Sequence, residues 1–234
     1  MHRLAYVPLE RLTVPRPVER TKYVVDKCRG RAVLDLGCYD ETATIKQGTD
    51  QWLHGEICKV ARTVIGVDSS EHLPEGGLAT GENARIVRGD VTQLGQLAVP
   101  DSIETIVAGE LLEHLPHPLR FLSDLHALFP GRNLVLTTPN ATSLTNTLLG
   151  LAARESNHCD HLQLFSYKTL NSLCLRAGFK EWEIIPYQVK FTELALRSQG
   201  VRRSLVNAVE WLVNLGERMF PMLSGGLILD VSHI

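Results

Sequence analysis

The chain has 234 residues, 44% of them hydrophobic, enough for one well-buried α/β core with an appendage. Its 24 Lys and Arg against 26 Asp and Glu leave a formal charge of −2, which argues against non-specific affinity for nucleic acid and favours small-molecule partners. Its cysteines, Cys28, Cys38, Cys58, Cys159 and Cys174, are odd in number and form no C-x-x-C pair, so neither a zinc site nor a disulfide framework is expected.

The first residues, MHRLAYVPLERLTVPRP, lack a basic stretch followed by an apolar core, and no apolar run approaches the roughly 20 residues that span a bilayer. The expectation is a soluble, cytoplasmic protein with no membrane span, folded as a single domain over 1–234. Residues 1–30 form an N-terminal arm and helix, 31–190 the core, and 191–234 a helical insertion and final strand.

From residue 31 onward, short apolar runs alternate with longer segments of helical period, the sequence form of a mostly parallel sheet with helices on both faces. Strands are predicted at Ala32–Leu36, Thr63–Val67, Arg85–Val87, Ile103–Ala108, Asn133–Thr138, Glu181–Tyr187 and Gly225–Val231, a seven-stranded Rossmann-like α/β fold. Helices are predicted over Gln51–Val60, over Pro118–Phe129 with its proline in the first turn, and over Tyr167–Ala177 with Gly178 as its C-cap. A last helix, Ser204–Met219, carries Leu205, Val209, Leu212 and Leu215 on one side. Such a face can cover a pocket, form a dimer contact or touch a membrane, and packing on its own domain is the first expectation.

Three predicted strands end in acids: Val33-Leu34-Asp35-Leu36-Gly37, Val64-Ile65-Gly66-Val67-Asp68 and Ile86-Val87-Arg88-Gly89-Asp90. One aspartate at a strand end is commonly a turn residue, whereas three in register at the carboxyl edge of an open α/β sheet mark a ligand site. No G-x-G-x-x-G run is present, which tells against a nicotinamide or flavin.

The segments VLDLGCYD, GVDSS, RGDV and IVAGELLEHLPHP resemble, in order and spacing, successive motifs of the class I S-adenosylmethionine (SAM)-dependent methyltransferases. By that resemblance the cofactor is SAM, with Asp35, Gly37 and Cys38 beside its methionine part. Asp68 and Ser69 would lie at the ribose, Asp90 and Val91 at the adenine, and Gly109 at the end of the fourth motif strand. The family's first motif continues with glycines where this chain has Tyr39 and Glu41. That departure keeps a catalytically impaired SAM-binding protein, or a partner subunit, in view.

On the acceptor side, Glu110-Leu111-Leu112-Glu113-His114 is expected to project its acids and histidine from one face of a helical turn, and Asn157-His158-Cys159-Asp160-His161 falls in the long loop after the fifth motif strand. Acids at a solvated helix start are the plain alternative. The E-x-x-E-H run resembles that of small-RNA 2′-O-methyltransferases and ubiquinone-pathway O-methyltransferases. The resemblance implies Glu110, Glu113, His114 and His161 as ligands of Mg²⁺ or Mn²⁺. His114, His158 and Glu113 are the catalytic candidates, acting on a small-molecule hydroxyl acceptor such as a sugar, nucleoside or glycosylated natural product. A phenol or quinone precursor is the second acceptor class, and a homodimer is one use of the last helix.

Overall fold

The computed structural model describes residues 9–39 and 43–234, so Glu41 of the first motif lies outside the described residues. In chain order the elements are α1 (Arg20–Cys28), β1 (Ala32–Leu36), α2 (Ala43–Lys46), α3 (Leu53–Cys58), β2 (Thr63–Asp68), β3 (Leu78–Gly81), β4 (Ala84–Arg88), β5 (Thr105–Gly109), α4 (Pro118–Leu128) and β6 (Asn133–Pro139). There follow α5 (Leu144–Leu151), α6 (Tyr167–Ala177), β7 (Trp182–Tyr187), α7 (Thr192–Leu196), α8 (Gly200–Met219) and β8 (Gly226–Val231).

The strands form one sheet in the order β3-β4-β2-β1-β5-β6-β8-β7. β4, β2, β1, β5 and β6 pair in parallel, β3 runs antiparallel to β4, and β8 runs antiparallel to both β6 and β7. The Rossmann-like architecture expected from the sequence is present, with eight strands in place of seven. The extra strand, β3, is a four-residue edge piece with alternating half-buried and exposed positions. At four residues it is too short to carry an apolar signature, as edge strands tend to be.

Side-chain alternation divides the sheet into two packed faces. Leu34, Leu36, Ile106, Leu134 and Leu229 turn to the face covered by α4 and α6, where Phe121, Leu122, Leu125 and Leu170 meet them. Val33, Val107, Val135 and Ile228 turn to the other, against Val24 and Cys28 of α1 and Ile57 of α3. Asp35, alternate with Leu34 and Leu36, therefore points toward α1 and α3.

Local signals account for the helix ends. Glu19 accepts hydrogen bonds from the Thr21 and Lys22 backbone N–H groups at 3.2 and 2.6 Å, and Ser166 forms a capping box with Thr169. Gly178 closes α6 at φ 92°, as its position predicts. Among the described residues no helix is long and apolar enough to cross a membrane.

After β1 the chain builds outward through β2 and β4, then returns to lay β5 and β6 on β1's other side. The carboxyl ends of β1 and β5 thus flank the switch point where open α/β sheets bind ligands. The insertion before the last strand is also present, as α7, α8 and a short 3-10 turn at Pro221–Leu223. One expectation fails there: Leu205, Val209, Leu212 and Leu215 are exposed, so α8 does not pack its apolar face on its own domain.

Candidate functional site

The first half of the site is built on the ends of β1, β2 and β4. Gly37 leaves β1 at φ 69°, and a Cβ there would sit 2.8 Å from Leu111, so the turn requires glycine on both counts. Asp35 is buried below this turn, its Oδ2 2.8 Å from Nδ1 of His54, whose Nε2 lies 2.9 Å from Thr80 Oγ1. Burial alone would lower the pKa of His54. The bonds to Asp35 and to Cys38 and Cys58 outweigh it and push the imidazole up to about 12. Cys38 is itself buried, its thiol also pushed up to about 12 by desolvation, and its carbonyl accepts from Trp52 Nε1 at 3.1 Å.

Asp68 sits at the end of β2, accepting from the Tyr39 N–H at 2.8 Å through Oδ2 and from the Ser70 N–H at 2.8 Å through Oδ1. The two strand-end loops are thereby tied together. Ser69 beside it is exposed. Asp90 is exposed and caps the following 3-10 turn, accepting from Thr92 N–H, Thr92 Oγ1 and Gln93 Nε2 at 2.7 to 2.8 Å. The Thr92 hydroxyl and N–H hold its pKa below the ordinary value. Val91 is buried beneath that turn, and Gly109 ends β5, where a Cβ would press on Leu53 at 2.9 Å.

The second half grows from the ends of β5 and β6, and here the geometry corrects the sequence reading. Glu110 is not on a helical face with Glu113 and His114: it takes φ 54°, and only Leu112–His114 form a 3-10 turn. The kink follows from the Glu110 N–H donating to the Thr137 carbonyl at 3.0 Å, which continues the β5–β6 ladder one residue past the strand. The Glu110 carboxylate then accepts from Tyr187 Oη at 2.8 Å and Thr137 Oγ1 at 3.0 Å, with Arg20 at 3.7 Å.

Glu113 is fully buried. Its Oε2 accepts from Thr138 Oγ1 at 3.0 Å, while Oε1 is buried with no hydrogen-bond partner. The Leu162 N–H donates to the Glu113 carbonyl at 2.9 Å, pinning the 152–166 loop over the turn. That contact brings His161 to His114, ring centres 4.7 Å apart.

Ligand atoms of Glu113, His114 and His161 lie within 4.8 Å of one another; Glu110 is not in that set. His158 is exposed, its ring 6.3 Å from His114 and 5.8 Å from His161. His161 Nδ1 is a second buried atom without a partner. Desolvation, reinforced by the Glu110 charge, pushes Glu113 up to about 8, and desolvation together with His114 holds His161 below its ordinary value. A cluster of two imidazoles and a carboxylate, with unpaired buried lone pairs, has the donor set of a divalent-cation site. His161 and Glu110 also line a cavity of about 710 Å³ that runs on beneath α5, α7 and α8.

Residues 16–184 match the methyltransferase domain family. The chain belongs to the methyltransferase family. An uncharacterized 37.1 kDa protein of a Streptomyces fradiae transposon, Tn4556, is 27% identical to this chain over 194 residues, 79% of it. The chain spans about half of that relative's length, 54%. A SAM-dependent methyltransferase of Archaeoglobus fulgidus superposes with a TM-score of 0.55 at 20% identity, covering 91% of each chain. The small-RNA methyltransferase HEN1 superposes with a TM-score of 0.55 at 15% identity, over 97% of this chain and 27% of that one. Likeness at these identities is one of fold.

Several residues of the candidate site escape a reading of the sequence. Thr138, which holds Glu113, and Tyr187 and Arg20, which hold Glu110, are brought in by strand pairing and by α1, with no local motif. His54 stands in the Trp52-Leu53-His54 helix, and its partner becomes visible once alternation turns Asp35 toward that side. His117 occupies the N-cap position of α4 and is exposed, the turn role its flanking prolines suggest.

Proposed function

We propose that the protein transfers a methyl group from SAM to a hydroxyl of a small molecule, with a divalent cation held by Glu113, His114 and His161. The observation that carries this reading is the buried, unpaired Glu113 Oε1 beside His114 and His161, the last of which lines the acceptor cavity. A carboxyl so placed costs free energy unless a proton or a cation meets it. Glu110 lies outside that set, its Oε1 engaged by Tyr187 and Thr137, and adds negative charge beside the cation.

The strand-end acids fit the methyl donor. A sulfonium, an ammonium, an adenine amino group and two ribose hydroxyls present positive charge and donors, the complement of carboxylates. Asp68 faces the ribose hydroxyls from between the Tyr39 and Ser70 N–H groups, with Ser69 beside it. Asp90 and Val91 flank the adenine, and Asp35, Gly37, Cys38 and Gly109 shape the methionine end. Asp68→Asn, which keeps the shape and removes the charge, is expected to weaken SAM binding by about tenfold or more in calorimetric titration. An unchanged affinity would remove Asp68 from the cofactor site.

When bound, the cation would lower the pKa of a coordinated hydroxyl and the sulfonium would supply the methyl group. The protein's part is to position and to take up a proton. With His114 engaged on the cation, His158, exposed on the open side of the cluster, takes the hydroxyl proton and passes it to water; without a cation His114 itself is free to take it. The cavity, lined by Ser143, Asn146, Asn157 and Gln188 as well as by Leu149 and Leu205, suits a hydroxylated ring with an apolar edge, such as a glycosylated natural product.

Protein stripped by a chelator is expected to lose methyl transfer to a hydroxylated acceptor panel, to regain it with Mg²⁺ or Mn²⁺, and to bind SAM equally in both states. Turnover that survives chelation would leave base catalysis by His114 alone. SAM binding without transfer to any acceptor would favour the reading of a SAM-binding partner subunit.

A further inference from the structure

α8 is turned inside out. Its inward stripe, Val206, Glu210, Val213 and Glu217, recurs at helical spacing and includes both of the helix's acids. Glu210 accepts from the Phe191 N–H at 2.7 Å and Glu217 from the Val189 N–H at 3.1 Å, so the acids cap backbone donors after β7 and fix the helix's rotation. The opposite stripe, with Leu205, Leu212, Leu215 and Met219, follows the same spacing and faces solvent, Leu205 and Leu212 being 61% and 59% exposed. From Leu205 to Met219 the helix thus holds an apolar band about 21 Å long away from the protein.

The charges beside that band are of one sign. At 100° per residue Arg202 borders the band on one side and Arg218 on the other, with Trp211, 64% exposed, on the Arg218 side; all three reach solvent. Because both acids point inward, α8 offers no anion outward. A second copy of the same face would bring only further arginines to the borders of the band and no acid to complement them. A surface of anionic headgroups over hydrocarbon matches the pattern on each count: apolar side chains down, arginines at the borders, an indole at the interface.

We propose that the outward face of α8 docks the protein on an anionic membrane surface, with the helix lying in the plane of the headgroups. Leu205 and Val209 also line the acceptor cavity, so docking sets the cavity's mouth against the lipid. This goes beyond methyl transfer and does not depend on it, because docking is read without any acceptor.

The full chain is mixed with phosphatidylcholine vesicles, with or without phosphatidylglycerol, and floated on a density gradient. It is expected to float with the phosphatidylglycerol vesicles, to stay behind with phosphatidylcholine alone, and to be released by salt. Arg202→Gln with Arg218→Gln should lower partitioning by about 25-fold, about fivefold for each arginine. Leu212→Glu with Met219→Glu should abolish it; both residues are exposed, so circular dichroism and melting should match those of the parent. No flotation with phosphatidylglycerol vesicles at low salt overturns the proposal. So does flotation that the leucine and methionine changes leave intact. A dimer that those changes dissociate, with no flotation, would assign the face to a second copy.

Discussion

If the proposed cation site is right, Glu113→Gln is expected to lower methyl transfer on the order of a thousandfold while leaving SAM affinity within about twofold, because it removes a proposed ligand and leaves the strand-end acids in place. The same change should stabilise the fold in a pH-dependent way. Burial and the Glu110 charge raise the Glu113 carboxyl to about 8 in the folded protein, against an ordinary value of 4.5. A raised carboxyl contributes stability that is fully present below the unfolded value and is lost as pH rises through the folded one. Wild type and Glu113→Gln should therefore melt together near pH 4.5, and above pH 8 the variant should melt higher, by about 5 °C or more. Adding Mg²⁺ or Mn²⁺ should close that gap by stabilising wild type alone, as a ligand bound only to the folded state does. Equal melting of the two proteins above pH 8 in chelator would mean that Glu113 is not held as an uncompensated buried acid.

His54→Ala addresses the other end of the sheet. Removing the imidazole leaves Asp35 buried without its partner, a change that costs about 3–5 kcal/mol in folded proteins. Adding Asp35→Asn should return much of that loss, which a packing defect alone would not allow. The raised histidine contributes stability that is complete below its unfolded value of 6.5 and is lost as pH rises through about 12. Urea unfolding should thus show a greater cost for His54→Ala at about pH 6 than at about pH 9. A cost independent of pH would assign His54 a steric role. SAM affinity should fall as well, because α3 loses its anchor on β1 beside the turn at Gly37.

The parts of this fold that were readable from the sequence are those set by local chemistry. β1 and α6 were placed to the residue, because a bounded apolar run and a capped helix end at Gly178 are local signals. β3 was not readable, since its order depends on pairing with β4 and not on its own four residues. The acids at the strand ends and the E-x-x-E-H run were visible as residues, yet their arrangement was not: backbone pairing past the end of β5 kinks the chain at Glu110 and separates it from Glu113. The approach of His161 depends on two backbone hydrogen bonds to the Glu113 carbonyl, which no side-chain pattern records. The orientation of α8 was misjudged for a general reason. An amphipathic pattern identifies the apolar face of a helix but not which face meets the protein, and two inward acids bonded to backbone N–H groups, Glu217 buried and Glu210 half-buried, reversed the usual answer.

The β7–β8 connection gives the molecule a form of modularity. Tyr187 and Gly226 are register partners, and a Cβ on Gly226 would stand 1.9 Å from the Tyr187 ring, so the hairpin is clamped shut where the insertion leaves and rejoins it. Everything between them, α7 and α8 included, hangs from two adjacent points on a rigid sheet. Grafting a different excursion onto those two points would exchange the roof over the acceptor without rethreading a strand. The loops at the carboxyl ends of β1, β2 and β4 rise from inside the sheet and permit no such trade, and divergence among relatives should concentrate accordingly.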